Sequence, residues 1–119
     1  MQRIVLHVLF ALALAGCAQA PERPPDQGDR FAFRTASTPY SAAICIGRNA
    51  KGRPGVAGEE RTLGQSGMEV VVRSQSGSGG TLAVAQILRD GIFSSVSILV
   101  TRLIGTDRAA FANALMAGC

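Results

Sequence analysis

The chain has 119 residues, 47% of them apolar and 17% charged, which allows one domain and excludes a disordered or collagen-like polymer. Twelve Lys and Arg against eight Asp and Glu give a net charge of +4, but the basic residues are dispersed and no nucleic-acid motif accompanies them, so a nucleic-acid partner is not expected. The single histidine, His7, lies in the N-terminal apolar segment. If that segment is removed, Ser-His-Asp and Cys-His catalysis and histidine-based metal sites go with it.

The segment begins with Arg3, continues as an apolar run from Ile4 to Leu14 and ends in small residues. Charge, about ten apolar residues and a small-residue cleavage region make a secretory signal, too short to cross roughly 30 Å of hydrocarbon as a helix. Ordinary cleavage after Ala18-Gln19-Ala20 is one outcome. The tetrapeptide Leu14-Ala15-Gly16-Cys17 resembles the lipobox of bacterial lipoproteins, and that resemblance implies another. It implies cleavage before Cys17, a thioether-linked diacylglycerol on that cysteine and acylation of the new amino group. The family's inner-membrane retention signal, an aspartate directly after the cysteine, is replaced by Ala18. The resemblance therefore implies the inner leaflet of the outer membrane, with the domain facing the periplasm.

The expected organisation is a lipoprotein signal peptide over 1–16, a lipid-anchored Pro-rich tether over 17–36 and a compact domain over 37–119. Pro21, Pro24 and Pro25, with the charges around them, cannot bury enough apolar surface to fold and would hold the domain on the order of 20 Å from the lipid. In the tether Arg23, Arg30 and Arg34 are balanced by Glu22, Asp26 and Asp29, which argues against a polybasic membrane switch. Phe31 and Phe33 alternate with Ala32 and Arg34. They read either as a short edge strand or as two rings packed on the core, and the second is favoured for so short a run.

Ser37 or Thr38 predicts a helix cap, with Pro39 at the first helical position and Tyr40, Ala43, Ile44 and Gly47 at helical spacing. Gly52 is expected in a left-handed C-cap, and Pro54 prevents continuation. From Gly55 to Gly67 the pattern is weak, with room only for a short strand at Glu60-Arg61-Thr62-Leu63. Met68 to Arg73, Thr81 to Arg89 and Ile92 to Leu103 read as strands. An Asp90-Gly91 turn between the last two predicts Arg89 opposite Ile92 and Ala85 opposite Val96. That register places Ala83, Ala85, Ile87, Val96, Ile98 and Val100 under the helices and leaves Leu82, Val84, Leu88, Phe93 and Leu99 on the other face. A last helix, capped by Thr106 or Asp107, runs from Arg108 to Met116 with Phe111, Ala114 and Leu115 inward.

With Cys17 acylated, Cys45 and Cys119 remain and are expected to form a disulfide in an oxidising compartment. Redox activity is the alternative, but no C-x-x-C spacing supports it. Gly64-Gln65-Ser66-Gly67 lacks the spacing of a nucleophile elbow, and Ser76 to Gly80 lacks the helix a phosphate loop needs. Glu59 and Glu60 read as a solvated loop. No catalytic residue, cofactor or metal site is predicted.

The expected fold is therefore α+β: a helix, an antiparallel sheet of three to four strands and a C-terminal helix, with both helices on one sheet face. The segment Ala42 to Ala50, the Val-rich strand and the terminal Ala-Gly-Cys also look like small uncharacterised Gram-negative lipoproteins, a resemblance that implies no activity. Two functions follow as expectations. One is a non-enzymatic envelope protein that presents Leu82, Val84, Leu88, Phe93 and Leu99 to a protein partner. The other is a small-ligand or cell-wall binding module using glycine-rich loops and Arg48, Arg53, Arg61 and Arg73.

Overall fold

The computed structural model of the protein describes residues 27–76 and 79–119. The expected signal peptide, Cys17 and the proline-rich part of the expected tether lie outside the described residues. In chain order the elements are β1 (Asp29–Thr35), α1 (Pro39–Lys51), β2 (Val56–Leu63), β3 (Gly67–Ser74), β4 (Thr81–Asp90), β5 (Phe93–Val100) and α2 (Arg108–Met116). The strands form one antiparallel sheet in the order β1-β5-β4-β3-β2. The expectation of three to four strands is corrected to five, and the domain is more sheet-rich than the pattern suggested.

Both additional pairings are at the edges. β1 takes residues 29–35 out of the expected tether and pairs them along β5, so that Phe31 lies opposite Ile98 and Phe33 opposite Val96. The strand and the packing of the two rings are thus one arrangement, because alternation turns both rings to the core while Arg30, Ala32 and Arg34 face away. β2 extends through all of Val56–Leu63, although its inward positions are Val56, Gly58, Glu60 and Thr62. An edge strand held by a full ladder to β3 needs little apolar side-chain area, which is why hydrophobic periodicity underestimates it. Glu59 and Glu60, expected in a loop, point to opposite faces of this strand, and Glu60 receives Lys51 Nζ at 3.1 Å.

Because β1 and β2 run parallel at opposite edges, the chain must return the length of the sheet between them. The 13-residue helix α1 rises about 20 Å and makes that return. Thr38 is its N-cap, accepting from Ser41 N, and Pro39 occupies the first turn. The inward face differs from the one expected. Pro39, Ala42, Ala43, Ile46, Gly47 and Ala50 are buried, whereas Tyr40 is 65% exposed and Ile44 is only partly covered. The small Ala42, Ala43 and Ala50 let the helix axis sit close to the sheet, and Tyr40 would not fit there. Gly52 ends the helix in a right-handed conformation (φ −72°) with its N–H bonded back to Arg48 and Ala50, so the expected left-handed cap is not formed.

α1 lies over β2, β3 and β4, α2 lies over β5 and β1, and the two helices touch. Between them and the sheet, Val70, Val72, Ala83, Ala85, Ile87, Val96, Ile98 and Val100 are fully buried with Ile46 and Leu115. On α2 the buried residues are Phe111, Ala112 and Leu115, with Ala114 only partly covered. Asp107 caps it by accepting from Ala110 N at 3.0 Å.

The β4–β5 turn corrects the expected register by two residues. Asp90 pairs with Phe93, so the loop is Gly91-Ile92, and Ile87 rather than Ala85 lies opposite Val96. A type I′ turn at Asp90-Gly91 would need positive φ at both central residues. Only Gly91 has it, at 62°, which matches a type II′ turn with glycine first. A shift of two preserves sheet parity, so the same side chains face the helices in either register.

Candidate functional site

Both helices cover one face of the sheet, and the opposite face has no element of the described residues over it. Its composition follows from the register. A first row runs across all five strands as Arg30, Leu99, Val84, Val71 and Glu59. The next is Ala32, Ser97, Gln86, Glu69 and Arg61, and the third is Arg34, Ser95, Leu88, Gly67 and Leu63. An apolar centre in the first row is thus flanked by a cation at one edge and an anion at the other.

The second row is polar and internally bonded. Arg61 Nε donates to Glu69 Oε1 at 2.7 Å, Gln86 Nε2 donates to Glu69 Oε2 at 3.5 Å, and Arg30 reaches across from the first row to Ser97 Oγ at 3.3 Å. The Arg34 guanidinium lies 4.1 Å from the centre of the Phe93 ring, where its charge meets the negative ring face. Ala32, Ser95 and Ser97 are small, and between them, Gln86 and Leu88 the face dips into a groove of about 180 Å³.

The five residues expected on this surface do not all contribute to it. Val84, Phe93 and Leu99 are partly exposed and Leu88 is 51% exposed. Leu82 is corrected: it is 9% exposed and belongs to the core cluster, at the end of the sheet where Thr101 N bonds its carbonyl. Val71, which the sequence did not place on this face, lies there opposite Val84 but is only 3% exposed. Its place opposite Val84 depends on the β3–β4 register, which no short turn fixes.

Cys45 and Cys119 form a disulfide between the middle of α1 and the residues after α2. The same segment is tied by Asn49, which donates to Leu115 O and Ala117 O, and by Thr35 and Ser37, whose hydroxyls donate to the Cys119 main-chain oxygen at 2.6 and 3.2 Å. The dense bonding makes this a structural clasp.

A second concavity, of about 320 Å³, lies between the start of α1 and the β2–β3 turn, lined by Thr38, Tyr40, Ser66 and Arg89 among others. Thr38 already caps its helix and bonds Ser41. Among the described residues no buried side-chain polar atom lacks a partner, and no cluster of His, Cys, Asp or Glu could hold a metal ion. Arg48, Arg53, Arg61 and Arg73 are not brought together. Arg48 is exposed on α1, Arg53 stacks on Phe111 at 4.9 Å, and Arg61 and Arg73 stand on the open face of the sheet. No family model, curated protein or solved structure matches the chain.

Proposed function

We propose that the protein is a non-enzymatic, lipid-anchored envelope protein whose domain presents its open sheet face to a protein partner. The anchor is Cys17, acylated at the inner leaflet of the outer membrane, and the surface is centred on Val84, Leu88, Phe93 and Leu99. The observation that carries this reading is the row Leu99-Val84-Val71, of which Leu99 and Val84 are partly exposed and Val71, at 3%, is already buried. The row is apolar on the side of the sheet that faces away from both helices. Contiguous apolar area that the fold leaves uncovered is characteristic of an interaction site, and antiparallel sheets commonly leave one face available.

The test is a Val84→Ser, Leu99→Ser double variant of the full chain. It should keep the parent's secondary structure and lose the parent's association with a protein partner, a second copy included, and retention of that association would contradict the reading. Mass spectrometry of the mature chain should find diacylglycerol on Cys17. An unmodified Cys17 thiol would remove the anchor from the proposal.

A further inference from the structure

We infer that the open sheet face is an interface between two copies of this chain, related by a two-fold axis parallel to the strands and passing over β4. The inference rests on the reading of that face as an interaction surface and names its occupant.

The first row of the face is self-complementary under that operation, whereas the third lays Arg34 over Leu63. β4 is the middle strand, so the axis lays β1 of one copy over β2 of the other, β5 over β3, and β4 over its own counterpart. In the first row Arg30 then meets Glu59 and Val84 meets Val84, while Leu99 lies over Val71, which is already buried in the single chain. Opposite charges close each end of an apolar centre. Arg30 and Glu59 are both exposed in the single chain, so pairing them does not require breaking a buried ion pair. An axis across the strands would instead lay β1 on β1 and bring Arg30 and Arg34 against their own copies, which like-charge repulsion disfavours.

Shape agrees with charge. The groove of about 180 Å³ lies on the β1–β5 half, floored by the small Ala32, Ser95 and Ser97. On the β2–β3 half, Ala32 and Ser97 correspond to the long Arg61–Glu69 pair and Ser95 corresponds to Gly67. The same axis seats that ridge over the groove and brings the Ser97 hydroxyl toward the Glu69 carboxylate, while Gln86 meets Gln86 and Leu88 meets Leu88. Aligned sheets pack about 10 Å apart with strands offset by roughly 30°, an offset that pivots around β4 and least disturbs the central contacts.

The size is adequate. Five strands about 4.8 Å apart and eight residues long present a plan area on the order of 500 Å² before side-chain relief is counted. A standard interface buries about 800 Å² per partner, the same order as this face. Edge-to-edge pairing is the competing mode for two sheets, and the charged Asp29, Arg30 and Arg34 on β1 and Glu59, Glu60 and Arg61 on β2 discourage it.

The test is charge reversal in the purified full chain, followed by sedimentation velocity, with thermal melts confirming that each variant folds. The parent should be dimeric at micromolar concentration. Arg30→Glu and Glu59→Arg should each weaken self-association about tenfold or more, and the double reversal should restore it, because only the pairing across the axis is rebuilt. A monomeric parent, single reversals without effect, or a double reversal that fails to restore the dimer would overturn the inference. A photo-reactive residue at Val84 in cells separates this failure from that of the surface itself. An adduct of twice the chain mass supports the dimer. An adduct with a different protein alone overturns the second copy and leaves the surface, and no adduct overturns both.

Discussion

Asn49 donates from its carboxamide to the main-chain oxygen of Leu115 at 2.8 Å and to that of Ala117 at 2.9 Å, one helical turn beyond Cys45. The last carbonyls of a helix have no partner within it, and here a neighbouring helix supplies one. The covalent bond and the carboxamide thus act on the same five-residue segment, Leu115 to Cys119, from the same stripe of α1.

Replacing Asn49 with Ala should therefore lower stability by about 1–3 kcal/mol, the usual cost of leaving such acceptors without their donor. Asn49→Asp should cost at least as much, because a carboxylate cannot donate to either carbonyl. Urea titration of the purified variants measures both, and an unchanged midpoint for Asn49→Ala would show that water replaces the carboxamide without loss.

Removing the disulfide should cost more. Its partners are separated by 74 residues. The chain-entropy account gives about 4.5 kcal/mol for a loop of that length. A Cys45→Ala, Cys119→Ala variant should show a large fall in melting temperature, and adding Asn49→Ala should then cost less than it does alone, because the segment the carboxamide holds is already loosened. Strict additivity would contradict the shared clasp.

Gly28 precedes β1 with φ +99°, and a Cβ there would fall 1.9 Å from the Val100 carbonyl oxygen. Neither the conformation nor the contact accommodates a side chain, and the obstacle is backbone. Gly28→Ala should displace the start of β1 and speed amide exchange along Arg30 to Phe33 while leaving β3 and β4 protected. Uniform exchange rates in parent and variant would contradict the docking of β1 at this point.

Leu82 and Leu99 should respond unequally to the same change. Leu82→Ser empties a nearly buried site in the core cluster and should cost about 2–5 kcal/mol. Leu99→Ser alters a partly exposed position and should cost under about 1 kcal/mol. Thermal melts of the two variants decide this, and equal losses would contradict the placement of Leu82.

Legibility in the sequence followed the strength of local signals. Thr38 and Pro39 at the start of α1 and Asp107 at the start of α2 act through one turn of chain, and the helices begin where those residues indicate. The inward residues of β4 and β5 were legible because alternation survives a two-residue slip, whereas the slip itself was decided by φ at a single position, Gly91. β2 was obscured because an edge strand held by a backbone ladder and an ion pair such as Lys51–Glu60 leaves no apolar period, and β1 because its alternation is carried by Phe31 and Phe33 alone. The α1 face was misjudged at Tyr40, where close helix–sheet approach selects alanine over the larger apolar ring. On the open face the surface was expected from β4 and β5 alone. Val71, Arg30 and Glu59 join it only through pairings between segments distant in sequence.

The central claim is that the face away from the helices is where this protein meets another. Photo-crosslinking in intact cells, with the reactive residue placed at Val84 or Leu99 on the open face and at Arg48 on the exposed side of α1, tests it most directly. Discrete adducts from Val84 and Leu99 and none from Arg48 are predicted. Adducts from Arg48 alone, or none from the sheet positions, would contradict the account.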